Sequence, residues 1–501
     1  MSPARQGAGL RLSKTQYLGG LQCEKALWLH RHRRDLASQP SPGLDAIFEQ
    51  GAKVGRLAWR RFAGGTLIEA DHLHAQDALA ATEAAKRGGA SILYEAAVAH
   101  DGVLVRPDIL MRSGASWDLV EVKSSTEVKE VYLEDVAIQR YALNGAGFPI
   151  RKCFVMHVNN QYVRYGDIDP KEFFTLADLT DAAKALQKDI PARLARMGRI
   201  LAAPSAPCVG IGAHCKKPYP CPFIDHCWKR IPEYSVFDLT RIRHEKAAIL
   251  ADKGILRVRD VPGDFPLTEA QELQVSVEKS RKPRIDKKAL QKFLAEPVHP
   301  LYFLDFETIW PAIPPYDGLS PFQQIPFQAS VHVQKAKDGP IEHFEYLGDA
   351  KSDPRPGLVE FLTSVIASKG NVVAYNAAFE GRCLKAMADA YPRSGAALRS
   401  IKARLWDLMI PFRDRLYVHP GFRGRYTIKL VLPAIVPGMT YKGLAIAEGG
   451  AASIAYMNLM DGKLPQAEAK ATRDALAEYC GQDTLAMVKV LEHLRRQIED
   501  R

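Results

Sequence analysis

The chain lacks an apolar run long enough to cross a bilayer, for which a helix needs about 20 mostly apolar residues. Its start, Met1-Ser-Pro-Ala-Arg-Gln-Gly7, lacks the hydrophobic stretch of a secretory signal. A cytoplasmic protein with no membrane partner is therefore expected. Internal repeats and long low-complexity tracts are absent, which leaves ordinary globular domains rather than a solenoid. Acidic residues fall short of basic ones, 57 against 68, for a formal net charge of +11. That imbalance favours a polyanionic partner without choosing between DNA and RNA. Cysteines number only eight in 501 residues, and a reducing cytosol excludes a disulfide framework. Apolar residues make up 47%, enough to build cores. The length suggests about three domains.

Composition and breakers divide the chain into residues 1–235, a helical connector 236–296, and 297–501. In the first segment 45–63 reads as a helix. Apolar alternation marks strands at 91–98, 103–111 and 117–123, then a helix near 132–146 and a strand at 150–158. The connector is broken at Val261-Pro-Gly263 and Phe265-Pro266 and ends in the basic stretch Lys279-Ser-Arg-Lys-Pro-Arg284. It reads either as a plain linker or as a helix-hairpin-helix-like module for a DNA backbone.

The last segment carries the sharpest motif. Asp305-Phe-Glu307 follows the apolar run Leu301-Tyr-Phe-Leu304. Strand residues two apart share a face, so both carboxylates project together. They repel unless a cation sits between them, and oxygen-rich sites suit Mg²⁺ or Mn²⁺. Next, Val372-Val-Ala-Tyr375 reads as a strand ending at Asn376, a favoured helix N-cap, with Glu380 in the first turns of the helix that follows. Then Tyr479 and Asp483 lie four apart in the helical stretch 466–498 and share a helix face. The Pro-rich loop Pro311-Ala-Ile-Pro-Pro-Tyr-Asp-Gly318 follows the first motif closely enough to line its site. The order D-x-E, N-x-x-F-E, Y-x-x-x-D resembles the DnaQ-like 3′–5′ exonucleases, in the subgroup with tyrosine in the last motif. The resemblance covers roughly residues 297–501. It implies Asp305, Glu307, Glu380 and Asp483 as ligands of two metal ions, with Tyr479 positioning the attacking water. That family usually has Asp where this chain has Glu380, which leaves Asp407 as an alternative ligand.

In the first segment Arg106-Pro107-Asp108 ends one strand of a hairpin that turns at Ser113-Gly114, and Glu121-Val-Lys123 lies on the next. An isolated E-x-K is commonly a surface charge pair. Here the preceding Asp and the hairpin give the PD-(D/E)xK nuclease pattern. In it the carboxylates hold a divalent metal, and the lysine orients water or offsets transition-state charge. Glu95 is a further acid. Four cysteines, Cys208, Cys215, Cys221 and Cys227, fall within 20 residues, and Cys23 lies far upstream. One cysteine before a nuclease core and three after it resemble the iron–sulfur staple of RecB-like nucleases, over about residues 10–230. That resemblance implies a [4Fe–4S] cluster on Cys23, Cys215, Cys221 and Cys227. The rival is structural Zn²⁺ on Cys208, Cys215, Cys221 and Cys227, or with His214 or His226. The same family implies Gln139 at the site and, with a departure in spacing, Tyr141. The run Leu29-His-Arg-His-Arg-Arg34 is either a solvated face or a phosphate-tracking surface.

The expected fold class is α/β: a PD-(D/E)xK nuclease domain, a helical connector, and an RNase H-like exonuclease domain with a mixed sheet. The domain order resembles an uncharacterised bacterial family. The implied function is metal-dependent hydrolysis of nucleic acid, DNA foremost, in DNA repair or anti-phage defence. The alternatives are a nucleic-acid-binding scaffold with one or both sites inactive and an RNA-processing exonuclease.

Overall fold

A computed structural model describes residues 12–39, 42–70 and 74–499; the N-terminal stretch Met1–Gly7 lies outside them. The chain is α/β, with mixed sheets, and forms two compact units. One contains residues 1–230 and 311–322, the other 231–310 and 323–501. Among the described residues no helix is long and apolar enough to cross a membrane.

The first unit is built on a six-stranded sheet in sequential order: β1 (Thr66–Leu67), β2 (Ile92–Tyr94), β3 (Ile109–Ser113), β4 (Ser116–Lys123), β5 (Ile150–Val158) and β6 (Phe174–Asp178). The two apolar runs near 91–111 are more broken than their pattern suggests. Glu95 adopts a left-handed φ of 56°, and Pro107, which has no N–H to give a ladder, falls in the gap before β3. Gly114, at φ +62°, allows the two-residue turn from β3 into β4. β4 pairs parallel with β5, so a crossover is required. It is supplied by α3 (Glu130–Gly145). Two earlier helices, α1 (Lys14–Gln22) and α2 (Glu24–His32), are contiguous except for Cys23.

Both sheet faces are covered, and β4 shows the period of two. Trp117 and Leu119 pack with Tyr17, Val136 and Ile138 of the helical layer. Val120 packs on the opposite side with Val54, Ile109, Met156 and Phe173. Glu121 and Lys123 therefore continue the Leu119 face, toward α3. The Pro-rich loop is held within this unit: Ala312 joins the Val120 core, and Arg164 donates to the carbonyls of Pro314 (2.9 Å) and Pro315 (2.7 Å).

The second unit has a five-stranded mixed sheet. The strands are β7 (Leu301–Ile309), β8 (Ile325–Gln334), β9 (Ile341–Leu347), β10 (Asn371–Ala374) and β11 (Leu405–Asp407), in spatial order β9-β8-β7-β10-β11. β7 is central, antiparallel to β8 and parallel to β10. Tyr302, Leu304 and Phe306 point into one core with Val331, Leu362 and Leu384, so Asp305 and Glu307 project from the other face. α8 (Gln466–Glu499) packs across that face. A polar seam fixes its register. Gln328 of β8 donates to the Leu476 carbonyl at 2.8 Å, and Ser330 and His332 meet the Thr484 hydroxyl at 2.7 and 2.8 Å. Ahead of the sheet, residues 236–294 contain α4 (His244–Asp252), α5 (Glu269–Ser280) and a small core of Val236, Leu239, Leu250, Val258 and Val275.

Candidate metal and thiol sites

The register set by that seam brings residues of the first strand and last helix together. Ligand oxygens of Asp305, Glu307 and Asp483 lie within 4.8 Å of one another. All three carboxyls are pushed above their ordinary range, first by burial. Neighbouring carboxyl charges add to this at Asp305 and at Glu307, which reaches about 8, while at Asp483 hydrogen bonds from Tyr441 and Tyr479 and the Lys429 charge oppose it. Like charges this close hold protons or a cation. The nearest protein cation is Lys429, on α7 (Ile428–Ile435). Its ammonium lowers all three carboxyls by charge, yet its hydrogen bonds go elsewhere, to the Ala447 carbonyl (2.7 Å) and the Tyr479 hydroxyl (3.0 Å). Neither bond carries this ammonium to the acids themselves; Asp483 is bonded by tyrosines instead.

Glu380, on α6 (Ala377–Ala390), is also buried. Burial lifts it to about 8, followed by the charges of Asp407 and Glu307. Its Oε2 has no hydrogen-bond partner, which is costly for a buried carboxylate. Asp407 is occupied otherwise: its Oδ1 accepts the backbone N–H groups of Asn376 and Met409, both at 3.0 Å. The geometry thus favours Glu380 over Asp407 as a fourth acid. Asn376 begins α6 without the side-chain cap expected of it; it sits at φ 81° with no capping bond.

Tyr479 is only 3% exposed, but its phenol faces the acids: burial, then Asp483, Glu307 and Asp305, raise it. A second tyrosine escaped the sequence reading. Tyr441 donates to Asp483 Oδ1 at 2.6 Å and so fixes the carboxylate that the helix supplies. Neither Tyr441 nor Lys429 lies in a recognisable motif; the only sequence signal of Lys429 is a cation among Ile428, Leu430 and Val431, and Tyr441, between Thr440 and Lys442, has none.

Residues 302–427 match a family described as a domain of unknown function (DUF2779). No curated protein matches the chain. The matched span holds Asp305, Glu307 and Glu380 and ends before Lys429, Tyr441, Tyr479 and Asp483.

The first unit gathers its predicted residues differently. Glu121 is 2% exposed. Its Oε1 accepts from Lys123 (2.8 Å) and Lys14 (2.7 Å), and its Oε2 from Gln139 (2.7 Å). Asp135, which sequence reading missed, mirrors it: it meets Lys123 at 2.7 Å, Lys14 at 3.1 Å and Gln139 at 2.8 Å. Asp135 lies four before Gln139 on α3, the spacing that shares a helix face. Burial opposes Lys123's charge, yet Glu121, Asp135 and Asp108 raise it well above its ordinary value. Asp108 is raised by burial and then by Glu121, and its Oδ2 accepts the Val122 N–H at 2.6 Å. Glu95 is raised by burial, with Arg106 opposing. Tyr141 does not join this group; it donates to Asp101 at 3.1 Å.

Lys14 arrives through a capping box. The Ser13 hydroxyl accepts the Gln16 N–H (3.2 Å), and the Gln16 side chain accepts the Ser13 N–H (2.9 Å). This starts α1 with Lys14 at its first position. The other end of α1 delivers Cys23. Cys23, Cys215, Cys221 and Cys227 line one cavity together with His214, Leu29 and Phe223. Cys208 is exposed and His226 does not line it. The Cys221 thiol is raised by burial and then by Cys23, Cys215 and Cys227, the response of thiols facing one another. Among the described residues, the acid trio of the second unit alone closes to within 4.8 Å, so these thiols surround their cavity more widely. Sulfurs around one tetrahedral zinc, at about 2.3 Å from the metal, would stand about 3.8 Å apart.

Proposed function

We propose that this chain is a metal-dependent nuclease whose principal hydrolytic site is Asp305, Glu307 and Asp483, with Glu380 as fourth acid. The observation that carries the reading is the buried trio itself: three mutually repelling carboxyls within 4.8 Å, with an unpartnered Glu380 oxygen beside them. A central strand that presents both acids to a packed helix fits the RNase H-like, DnaQ-like resemblance. Divalent ions held there would supply an activated water and stabilise charge on the scissile phosphate. The chain's own residues do the rest. Tyr441 holds Asp483 in one orientation. Lys429 donates to the Tyr479 phenol, which in turn is hydrogen-bonded to Asp483 and from that place would orient a water against the acids. The net positive charge supports a nucleic-acid substrate, with DNA preferred and RNA the alternative. The test is Mg²⁺- or Mn²⁺-dependent cleavage of end-labelled DNA and RNA by wild type and Asp305→Ala. Cleavage that survives Asp305→Ala in an Asp108→Ala background would remove this assignment.

In the first unit the PD-(D/E)xK reading acquires a condition. Two ammonium groups already neutralise Glu121 and Asp135, so a metal enters only if Lys14 withdraws. This favours a second nuclease centre that is latent, or a nucleic-acid-binding scaffold, until Lys14 moves. The four convergent thiols are proposed to hold a [4Fe–4S] cluster. Their wide spacing supports it over zinc, and a cytosolic setting keeps such thiols reduced. The cluster would tie Cys23, between α1 and α2, to the C-terminal end of the unit.

A further inference from the structure

We infer that an arginine-lined cavity in the second unit, outside the acid cluster, binds the phosphates of a nucleic-acid strand. The cavity measures ≈ 480 Å³ and is lined by Arg257, Arg259, Arg281 and Arg423, with Glu278, Tyr234, Val258, Pro232, Pro420 and Gly421. Its volume falls in the range of small-ligand pockets, and it is open to solvent on one side. Four guanidinium groups face one carboxylate within the lining.

The arginines are not consumed by the protein. Arg257 has no ion-pair partner among the described residues, and Arg259 reaches Asp260 only at 3.8 Å. Arg423 pairs with Glu233 at 2.6 Å, but Glu233 is 84% exposed, and such surface pairs contribute little and exchange readily. Arg281 bonds Glu278 Oε1 at 2.7 Å, which fixes one guanidinium at the wall. Glu278 is 8% exposed, and its Oε2 is buried with no donor. Glu278 is the one carboxylate of the lining and Arg281 holds it, so three further guanidinium groups remain as a surplus of cationic donors. Arg281 and Arg423 both hold a left-handed backbone, φ 56° and 51°, as the C-caps of the helical turns they end, so each guanidinium leaves the chain where a helix stops. Planar guanidinium forks bind phosphate oxygens bidentately. The prolines and the Tyr234 ring give an apolar wall for the sugar or base that a bare anion would not use. The Tyr234 hydroxyl is anchored by Gln274 at 2.9 Å. The same chemistry would accept a free nucleotide, so the source must be distinguished.

The experiment uses the full chain in EDTA, so that neither acid site contributes. Binding of a labelled oligothymidylate is followed by anisotropy over a salt series, and binding of thymidine monophosphate by calorimetry. Wild type, Arg257→Ala/Arg259→Ala, and a control of equal charge change at exposed lysines outside the cavity, Lys351→Ala/Lys369→Ala, are compared, with melting curves to verify folding. The cavity variant should weaken strand binding at least tenfold and flatten the salt slope by about two, one for each lost phosphate contact. The control should change far less. Loss confined to the strand supports a strand site; parallel loss of monophosphate binding identifies a nucleotide pocket within the same chemistry. Wild-type affinity and slope in a folded cavity variant, or equal loss in the control, overturns the inference.

Discussion

Loading the Asp305–Glu307–Asp483 site with Mn²⁺ at neutral pH should expel protons. Glu307 is pushed up to about 8 by burial and the Asp483 charge, so at pH 7 it is about 90% protonated, and at pH 9 about 10%. Carboxylates bind metal only after losing the proton. Glu307 alone should then release about 0.9 proton per site at pH 7 and about 0.1 at pH 9. Asp305 and Asp483, raised in the same direction, add to the count at pH 7. Each proton makes the apparent affinity rise about tenfold per pH unit between pH 6 and 8, flattening above. Calorimetry in two buffers of different ionisation enthalpy counts the protons directly. Glu380, also near 8, is resolved by Glu380→Gln: the count drops by about 0.9 if this carboxyl is a ligand. The same linkage acts on the metal-free fold. Folded Glu307 keeps its proton to about pH 8, while the unfolded chain releases it near 4.5. The folded state thus binds more protons in that window, and stability falls as pH rises through it. The loss is up to about 5 kcal/mol per carboxyl, and Mn²⁺ should restore it. A proton count near zero at pH 7, or metal affinity constant from pH 6 to 8, would refute the reasoning.

Other outcomes test separate parts. Cys221→Ser should empty the thiol site of metal while Cys208→Ser keeps it, because Cys208 lies outside the cavity lining; metal and sulfide analysis of anaerobically purified protein decides, and equal losses would contradict the ligand set. Tyr479→Phe should lower kcat with metal affinity near wild type, since the phenol bonds Lys429 rather than a metal; a matching fall in Mn²⁺ affinity would make it a ligand-shell residue instead. Lys14→Gln, in an Asp305→Ala background, should strengthen Mn²⁺ binding at Glu121 and Asp135 by removing one competing ammonium. It should also destabilise the metal-free protein by about 3 kcal/mol through an unbalanced buried pair; unchanged Mn²⁺ binding would show that Lys14 does not block the site.

The parts legible in the sequence were those that local rules dictate. The period of two in Leu301–Ile309 put Asp305 and Glu307 on one face before any fold was known. A four-residue spacing paired Tyr479 with Asp483. The capping box Ser13-Lys-Thr-Gln16, a local rule as well, emerged only with the structure, and nothing local said where Lys14 would go. Tertiary structure decided what those faces meet. The seam from Gln328, Ser330 and His332 to α8 sets the register that brings Asp483 over β7; those polar residues carry no motif that marks them as positioning devices. Lys14 and Asp135 lie 121 residues apart in the chain and share one site, and Glu380 rather than Asp407 faces the acids because backbone N–H groups claim Asp407. Spacing along a strand or helix fixes direction within a few residues. Which charges become neighbours, and so which carboxyls hold protons, depends on contacts between distant segments that no local period encodes.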